Sequence, residues 1–462
     1  MNANRKLGSV EQAMEIMNRY DKYFIVTVSR IRGNLNEEFV RQSLDCLQNR
    51  HPRLNSRIIE YLDNLYFETN DTPKIPLRVV KKLHSEQWQE VLETELNQKL
   101  DSSQGLARAV LVHIADDENL CYLIITVHHA IALASSVIKL HSELLTYYEQ
   151  LTLGKPINLD DKLPAIPPIE DLLPPSVKGL RGAISKLCFL LKTMIKTTLH
   201  QPESLGFNKS LSSNIQNYNL VVHRQLDQNL TQKIINNCQQ NQTTVQGALC
   251  AAMMLATAQL INSDSAKNLR VLCHSSIDIR KYLEPIISDE HLVAAFSYST
   301  GFFNVNINTP FWELACQVKQ QIQTSLLNRQ ELFSKVLTYK PMTDICLQNP
   351  HSIPDSVAVT NIGKLNIPQN YNSSAIEEIS FVPTQSMINN NLTVAVTTFN
   401  EKMILNFIFS EPTITRQRME KFVNYVLTFL IDACQLEEDR SQTFTERNRS
   451  ETEGKKVNFT GV

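Results

Sequence analysis

The chain has 462 residues, 42% of which are apolar, and this length and composition suit two domains of about 200 residues each. Its 45 basic and 47 acidic side chains leave a formal charge of −2, which argues against a nucleic-acid partner because binding to a phosphate backbone requires a basic surface. The nine cysteines form no Cys-x-x-Cys pair, no apolar signal segment opens the chain, and no run approaches the roughly 18 apolar residues of a spanning helix. We therefore expect a cytoplasmic protein.

Several motifs that would define a cofactor or metal site are absent from the sequence. With only 12 glycines, the chain has no Gly-x-Gly-x-x-Gly or Gly-x-x-x-x-Gly-Lys phosphate loop and no Gly-x-Ser-x-Gly elbow for a serine nucleophile. His-Glu-x-x-His and the other zinc-binding spacings are also missing. The sequence therefore predicts neither a bound cofactor nor a metal ion.

The first part of the chain alternates between strand and helix patterns. Runs of branched and aromatic residues predict strands, apolar residues at helical spacing predict helices, and an asparagine followed by two glutamates is typical of a helix start. The predicted elements are strand Tyr23–Val28, a helix beginning at Asn36, a strand pair within Ile58–Phe67, helix Glu86–Leu100 and strand Ala107–Ile114. This alternation predicts an α/β layer domain.

A pair of adjacent histidines follows the most apolar strand of the chain. Leu120–Val127 is typical of a strand that is buried on both faces, and His128 and His129 come directly after it. A helix follows, for which Ser135 or Ser136 is the candidate cap. An imidazole has a reference pKa of about 6.5, so a histidine presented in this way suits a general base. A structural histidine at the end of a strand is the alternative interpretation.

The character of the sequence changes between about 160 and 215. Five prolines between positions 164 and 175 predict an extended connector and mark a domain boundary. The segment Lys178–His200 follows, with five lysines and arginines, no acidic residue and apolar residues at helical spacing. This composition suits a helix on an anionic membrane surface, or a linker helix whose apolar stripe packs on the protein body. We prefer the second interpretation.

The second half again mixes helix and strand patterns, and a charged, Ser/Thr-rich tail follows it. The predicted helices are Gln228–Gln239, Val245–Ile261, Phe311–Leu327 and Ile414–Leu430, and the predicted strands are Leu269–Ile277, Ser356–Ile362, Leu392–Phe399 and Met403–Phe409. We therefore divide the chain into a first subdomain over 1–160 with His128-His129, a linker over 161–215, a second subdomain over 216–436 and a disordered tail over 437–462. Two halves of similar make-up predict a site in the cleft between them.

Five short segments resemble, in this order along the chain, the condensation-domain superfamily, which includes chloramphenicol acetyltransferase and peptide-synthetase condensation domains. They are Leu44–Ile58 with its Arg50-His51-Pro52-Arg53-Leu54, His128-His129, Thr244–Leu249, Ser276–Arg280 and Thr360–Gly363. The resemblance spans about residues 8 to 432 and is strongest to the stand-alone polyketide-associated acyltransferase and alcohol acetyltransferase branch, because the length fits one condensation unit. It implies an α/β fold of two chloramphenicol acetyltransferase-like, mixed-sheet subdomains that meet in a V shape, with the site at their interface.

The resemblance also implies an activity, the transfer of an acyl group from a CoA or carrier-protein thioester to an alcohol or an amine. The superfamily motif HHxxxDG is matched at His128-His129, and His129 would be the general base that takes the proton of the acceptor. His128 would help to fix the backbone. Asn361 is a candidate oxyanion donor, with a structural turn as the alternative role. Acyl-CoA or an acyl carrier protein would be a co-substrate, and no bound cofactor is implied.

The chain departs from the motif where the superfamily has Asp and Gly, because Leu133 and Ala134 stand at these positions. The resemblance implies that the missing Asp would pair with Arg280, so its loss would remove a brace rather than a reacting group. Acids near Arg280 in sequence could re-pair with it, namely Asp278, Glu284, Asp289 and Glu290. Two alternatives stay open: a non-catalytic condensation-like binding protein that lost the motif piecemeal, and an amide-forming stand-alone condensation domain.

Overall fold

Two mixed, six-stranded sheets form the framework of the protein, which is described here from a computed structural model. The described residues are 4–179 and 217–435 without 262–266, 350–354 and 386–390, together with 182, 184, 186–191, 195, 202 and 205. The tail predicted over 437–462 lies outside the described residues, as does part of the predicted linker. The predicted α/β class with two mixed-sheet subdomains is confirmed.

The strands follow one another along the whole chain. In chain order they are β1 (Arg5–Lys6), β2 (Phe24–Arg32), β3 (Arg57–Tyr61), β4 (Asn64–Glu68), β5 (Leu77–Lys82), β6 (Ala107–Ile114), β7 (Leu120–His128), β8 (Tyr218–Leu226), β9 (Leu269–Asp278), β10 (Phe296–Val305), β11 (Ser356–Lys364), β12 (Asn370–Tyr371), β13 (Ser374–Pro383), β14 (Asn391–Phe399) and β15 (Lys402–Glu411). The first sheet has the order β12-β13-β2-β7-β6-β5, and the second has the order β10-β9-β11-β14-β15-β8. A small third sheet has the order β1-β4-β3.

The helices cover the faces of these sheets. They are α1 (Ser9–Tyr20), α2 (Glu37–Arg50), α3 (Trp88–Asn97), α4 (Ala134–Thr152), α5 (Gln228–Gln240), α6 (Val245–Ile261), α7 (Phe311–Leu327), α8 (Arg329–Gln348) and α9 (416–435). Most predicted elements end within a few residues of the observed ones, and the cap predicted for α2 is observed, since Oδ1 of Asn36 accepts hydrogen bonds from two backbone N–H groups of the first turn. The sequence reasoning missed α1, α8, β1, β5, β8, β10, β12 and β13.

Strand β7 lies inside the first sheet and carries the histidine pair to its end. It pairs with β2 on one side and β6 on the other, both antiparallel, and all nine of its residues are buried. The prediction of a strand buried on both faces is therefore correct. The register places His128, the last residue of β7, opposite Phe24, the first residue of β2, so the residue after His128 leaves the sheet beside the start of β2.

The two halves of the chain share a sheet. Strands β12 and β13 come from the second half, yet β13 pairs with β2 and extends the first sheet. A cluster of buried apolar side chains also joins the halves, with Met14 of α1, Ala130 of the histidine turn, Ile277 of β9 and Leu332 of α8 among its members. The domain boundaries stay a prediction, and residues 370–383 are the part of the second half that lies in the first sheet.

The apolar stripe of the Lys178–His200 segment does not pack on the protein body. The described residues between 182 and 195 are helical, and four of their apolar side chains are at least half exposed, namely Ile184, Leu187, Leu191 and Ile195. The preferred prediction is therefore wrong for these four residues. The physical reason is that another side of the helix, with half-buried Phe189 and Leu190, lies toward the body.

Within the described residues, no single helix is both long and apolar enough to cross a membrane. Helices α5 and α6 meet that criterion only when they are taken as a pair, and they are bent by 101° relative to each other. Most of α6 is buried in the core of the second half.

Candidate active site

The histidine pair forms a tight turn between β7 and α4. The backbone N–H of His128 donates to the carbonyl of Leu106 at 2.9 Å, which keeps this residue in the sheet. Two residues later, the backbone N–H of Ala130 donates to Nδ1 of His128 at 3.0 Å. A ring nitrogen that accepts a hydrogen bond carries no proton, so the hydrogen-bond network assigns the proton of His128 to Nε2.

Glu15 of α1 anchors His128 from the interior. Nε2 of His128 lies 3.0 Å from Oε2 of Glu15, and both side chains are fully buried. Oε1 of Glu15 accepts hydrogen bonds from Nε of Arg19 at 2.6 Å and from Oγ of Ser102 at 2.8 Å. Burial alone would raise the pKa of Glu15, but these three neighbours outweigh burial and lower it. His128 is thus held by an ionised carboxylate.

The ring of His129 lies between two aromatic rings, one from each half of the chain. Tyr23, which immediately precedes β2, stacks on it with ring centroids 5.3 Å apart and planes 16° apart. Phe296, the first residue of β10, covers it with centroids 5.0 Å apart and planes 30° apart. His129 is therefore located where the two halves of the chain meet.

The two ring nitrogens of His129 are in different environments. The residue is half-buried, and its Nδ1 is closed to solvent and makes no hydrogen bond with the described residues, whereas Nε2 is not closed off. Burial lowers the pKa of His129 to about 4, because a charged ring would lose its hydration among the aromatic side chains. At neutral pH the ring is therefore uncharged and able to accept a proton.

A row of partly buried side chains continues from Phe296 along one face of the second sheet. Phe296 and Tyr298 alternate with buried serines along β10, and the ring of Tyr339 from α8 contacts both of them, with centroids 5.3 and 6.1 Å away. His274 of β9 contacts Tyr298 with centroids 5.7 Å apart. Burial raises the pKa of Tyr298 to about 12 and lowers that of His274 to about 4. The row is therefore uncharged at neutral pH.

Arg280 braces the start of α4 against the second half. Its guanidinium pairs with Asp278, with Nη2 at 2.5 Å from Oδ2 and Nε at 2.9 Å from the same oxygen. The two Nη atoms also donate to Oγ of Ser136 and Oγ of Ser135, each at 3.0 Å. Asp278 is one of the acids that the sequence offered for re-pairing, so Arg280 keeps a carboxylate partner without the motif Asp.

The serines after the histidine turn do not cap α4, and this prediction is wrong. The helix begins at Ala134 with Leu133 at the N-cap position, and no side chain accepts a hydrogen bond there. Ser135 and Ser136 lie one step further on, inside the first turn, where their hydroxyl oxygens accept from Arg280. Leu133, at the position of the motif Asp, is buried with 8% exposure.

Asn361 lies on β11 and its side chain folds back on its own strand. Oδ1 accepts a hydrogen bond from the backbone N–H of Gly363 at 2.8 Å, and Gly363 has a φ of +74°, a left-handed conformation that favours glycine. The described contacts include none between Asn361 and His129. The structure therefore shows a turn contact for the carboxamide oxygen and does not bring Asn361 together with the histidine pair.

Among the described residues, neither a candidate metal cluster nor the polar surface pocket lies at the histidine turn. Among the described residues, no group of three or more His, Cys, Asp or Glu side chains could hold a metal ion. A polar surface pocket of about 490 Å³ lies at the opposite end of β2, where Arg30, Arg32 and Glu377 line it.

The sequence reasoning missed three residues that define the site: Glu15, Tyr23 and Phe296. Glu15 had a signal, because it falls among buried apolar positions of α1 at helical spacing. Phe296 also had one, since Phe296-Ser297-Tyr298-Ser299 alternates in the manner of a strand. Tyr23 was placed correctly at the strand start, but nothing local indicates that its ring stacks on a histidine.

Two family models match the chain, one in each half. Residues 12–164 match the condensation domain, and residues 219–408 match the phthiocerol/phthiodiolone dimycocerosyl transferase C-terminus. Neither match covers half of the chain, and together they relate both of its halves to the condensation-domain superfamily, whose chloramphenicol acetyltransferase-like fold the chain has. These matches support acyl transfer in general. No curated protein sequence matches the chain.

Solved structures with the same fold cover nearly the whole chain. The trichothecene 15-O-acetyltransferase TRI3 from Fusarium sporotrichioides is 15% identical with a TM-score of 0.73, over 93% of this chain and 95% of its own. Polyketide synthase associated protein 5 from Mycobacterium tuberculosis is 16% identical with a TM-score of 0.65, over 92% and 98%. The first condensation domain of the calcium-dependent antibiotic synthetase is 14% identical with a TM-score of 0.70, over 93% and 96%. At these identities the likeness shows the fold alone.

Proposed function

We propose that the chain is an acyltransferase that moves an acyl group from the thioester of acyl-CoA or of an acyl carrier protein to an alcohol or an amine. The observation that carries this proposal is the environment of His129, whose uncharged ring stands between Tyr23 of the first half and Phe296 of the second. The family matches to both halves support acyl transfer. The proposed co-substrate is the thioester, and no bound cofactor takes part.

In this proposal His129 is the general base. Its ring takes the proton from the acceptor O–H or N–H while that oxygen or nitrogen attacks the thioester carbonyl. The C–S bond then breaks, the new C–O or C–N bond remains, and the leaving thiolate takes the proton back from the imidazolium. The products are an ester or amide and a free thiol, and no covalent acyl-enzyme forms. Such proton transfer contributes about 10²–10⁴ in rate, and holding donor and acceptor together contributes more.

The low pKa of His129 fits a base that must also return its proton. Because burial lowers this pKa to about 4, the imidazolium formed during the attack is destabilised and passes its proton readily to the thiolate. His128 and Glu15 act as positioning residues in this proposal. Their contact holds the turn that presents His129, and neither group touches the reacting atoms.

The absent motif Asp does not remove the brace between the halves. Arg280 pairs with Asp278 and donates to Ser135 and Ser136 at the start of α4, and this supports a retained activity. The second candidate function, a non-catalytic binding protein, is favoured by the replacement of the motif Asp and Gly by Leu133 and Ala134. An amide-forming condensation domain differs from the first proposal only in its acceptor.

For the oxyanion of the tetrahedral intermediate we propose Nδ2 of Asn361. The oxygen of this side chain already accepts from the backbone of Gly363, so the amide hydrogens are the donors that remain for such a role.

We also propose the cytoplasm as the compartment, since all nine cysteines are free thiols. These two assignments are separate from that of His129.

A thioester-consumption screen tests the proposed function directly. Purified full-length protein would be mixed with acyl-CoA donors of graded chain length and with loaded carrier protein, each with alcohol and amine acceptors, while free thiol and acylated product are both measured. The proposal expects thiol release that depends on an acceptor, with one acylated product per thiol. Thiol release without product, or none with any pair, would favour the binding protein.

A further inference from the structure

The helix that follows the linker prolines carries large apolar side chains on its outer side. We name four of them the exposed stripe: Ile184 is 55% exposed, Leu187 60%, Leu191 51% and Ile195 57%. Their spacing of three, four and four residues places them on one face of the helix. A contiguous exposed apolar surface of this kind marks an interaction site, whereas single exposed apolar residues do not.

A different face of this helix packs on the protein. The exposed stripe is therefore not part of the buried face of the helix. Gly182 is buried, and a Cβ there would lie against the carbonyl of Val177 in the preceding turn and 4.0 Å from a side-chain carbon of Leu337 in α8. Lys186, Phe189 and Leu190 are half-buried. Because the contact with the body is made by these residues, the exposed stripe faces away from the protein.

The charge around the exposed stripe is of one sign. From 172 to 202 the sequence has five lysines and arginines and no aspartate or glutamate, although the whole chain has a formal charge of −2. Two of these basic residues are among the described residues: Lys178, which is exposed, and Lys186, which is half-buried. Anionic lipid headgroups attract such segments, and each basic residue near the surface strengthens binding about fivefold.

We propose that the exposed stripe and its basic neighbours dock the protein on an anionic membrane surface. The apolar side chains enter the boundary between headgroups and acyl chains, and the ammonium groups contact the headgroups. A second copy of the chain is a poorer occupant, because symmetric pairing would bring two segments of like charge together. This proposal is independent of the acyltransferase activity, since docking requires no substrate.

The docking surface is adjacent to an element that reaches the histidine turn. The short turn Pro175–Val177, directly before this helix, contacts α8. Tyr339 of α8 contacts the ring of Phe296, and Phe296 covers His129. Docking therefore brings the membrane close to α8, the helix that contacts Phe296 beside His129.

Vesicle flotation with the full-length protein tests the docking surface. Wild-type protein is expected to float with vesicles of phosphatidylcholine and phosphatidylserine, and the bound fraction should fall at least about tenfold with phosphatidylcholine alone or at high salt. The double substitution Leu187→Ser and Leu191→Ser should weaken binding at least about tenfold, since two apolar anchors are lost. Leu327→Ser is the control, because Leu327 is 86% exposed at the end of α7 and is not part of the exposed stripe.

Three outcomes would overturn the proposal. The first is wild-type protein that does not float with anionic vesicles at low salt, and the second is a double variant that floats as the wild type does. The third is a dimer in solution that the double variant converts to a monomer, which would assign the exposed stripe to a second copy. Thermal unfolding should be the same for both variants and the wild type, because the substituted side chains are exposed.

Discussion

At the scale of the residue, the properties of His129 come from its neighbours in space. The sequence could place the histidine pair at the end of a buried strand, because the apolar run of β7 and the helix after it are local signals. It could not show the rings of Tyr23 and Phe296, which approach His129 only in the folded chain. The histidine motif therefore predicted the position of the His129 ring at the end of β7, whereas the lowered pKa of this ring depends on residues that the sequence does not connect to it.

The lowered pKa of His129 predicts the acid limb of the pH profile. A general base works when it is unprotonated, so kcat/KM should stay constant from neutral pH downward and fall only as the pH passes through about 4. Rates should be measured across this range together with circular dichroism, so that acid unfolding is separated from titration. A midpoint near the ordinary histidine value of about 6.5 would contradict the buried, aromatic environment.

Glu15→Gln should lower the turnover of the folded protein. The substitution keeps the shape but removes the charge that faces His128 and accepts from Arg19 and Ser102, and we expect a loss of about 1 to 3 kcal/mol in the free energy of unfolding. If Glu15 positions the histidine turn, kcat falls more than KM rises. Glu60→Gln is the matched control, since Glu60 also pairs with Arg19 but is 54% exposed. An unchanged kcat in folded Glu15→Gln protein would show that Glu15 stabilises the fold but does not position the histidine turn for the reaction.

At the scale of the element, the sequence predicted those helices and strands whose apolar residues recur at a regular spacing. Val245–Ile261, Phe311–Leu327 and Ala107–Ile114 have the predicted bounds, because each has an uninterrupted apolar pattern. Strand β10 was missed because serines and Gly301 dilute its apolar character, and β13 because its acidic residues conceal a strand that lies in the other half's sheet. The two predicted helix caps had different outcomes for the same reason. The cap at Asn36 depends only on its own helix and is observed, whereas a serine predicted to cap α4 accepts a hydrogen bond from Arg280 of the second half instead.

Arg280→Ala should destabilise the fold more than it affects the chemistry. The variant leaves the hydroxyls of Ser135 and Ser136 without this donor and removes the partner of Asp278, whose side chain is 44% exposed. Because solvent can hydrate that carboxylate, we expect a loss of about 1 to 3 kcal/mol in the free energy of unfolding. Melting temperature and turnover should be measured beside the control Lys281→Ala. Equal melting temperatures with lost turnover would contradict the role of a brace.

At the scale of the whole molecule, polar contacts join the two six-stranded sheets, in addition to the strand β13 that the second half contributes to the first sheet. His223 of β8 lies between Oε1 of Glu378 at 3.2 Å and Oδ1 of Asn406 at 2.8 Å, and the ring of Trp88 from α3 contacts it edge-on. The amide of Asn406 also donates to the carbonyl of Phe381, so its oxygen faces the histidine as an acceptor. Both ring nitrogens of His223 therefore donate, as in the protonated ring. No sequence pattern connects β8, β13 and α3 in this way.

The stability of the contact between the two sheets should depend on pH through His223. Burial and Arg224 lower the pKa of His223, but Glu378 and Asn406 outweigh them and raise it. Since the folded pKa is above the unfolded one, this stabilisation is complete below about pH 6.5 and is lost as the pH rises through the folded pKa. In thermal unfolding, His223→Gln should reduce the melting temperature more in mild acid than in mild alkali. An equal reduction at both pH values would show that the charge contributes nothing.

The turnover of His129→Ala tests the central claim most directly. His129 is half-buried and lies at the turn after β7 rather than inside either sheet, so the His129→Ala protein should remain folded while the rate of acyl transfer falls by about 10²–10⁴. His84→Ala is the matched control, because His84 pairs with Asp116 at the surface and should retain full activity. Full turnover by folded His129→Ala, with the same donor and acceptor, would show that another group takes the proton.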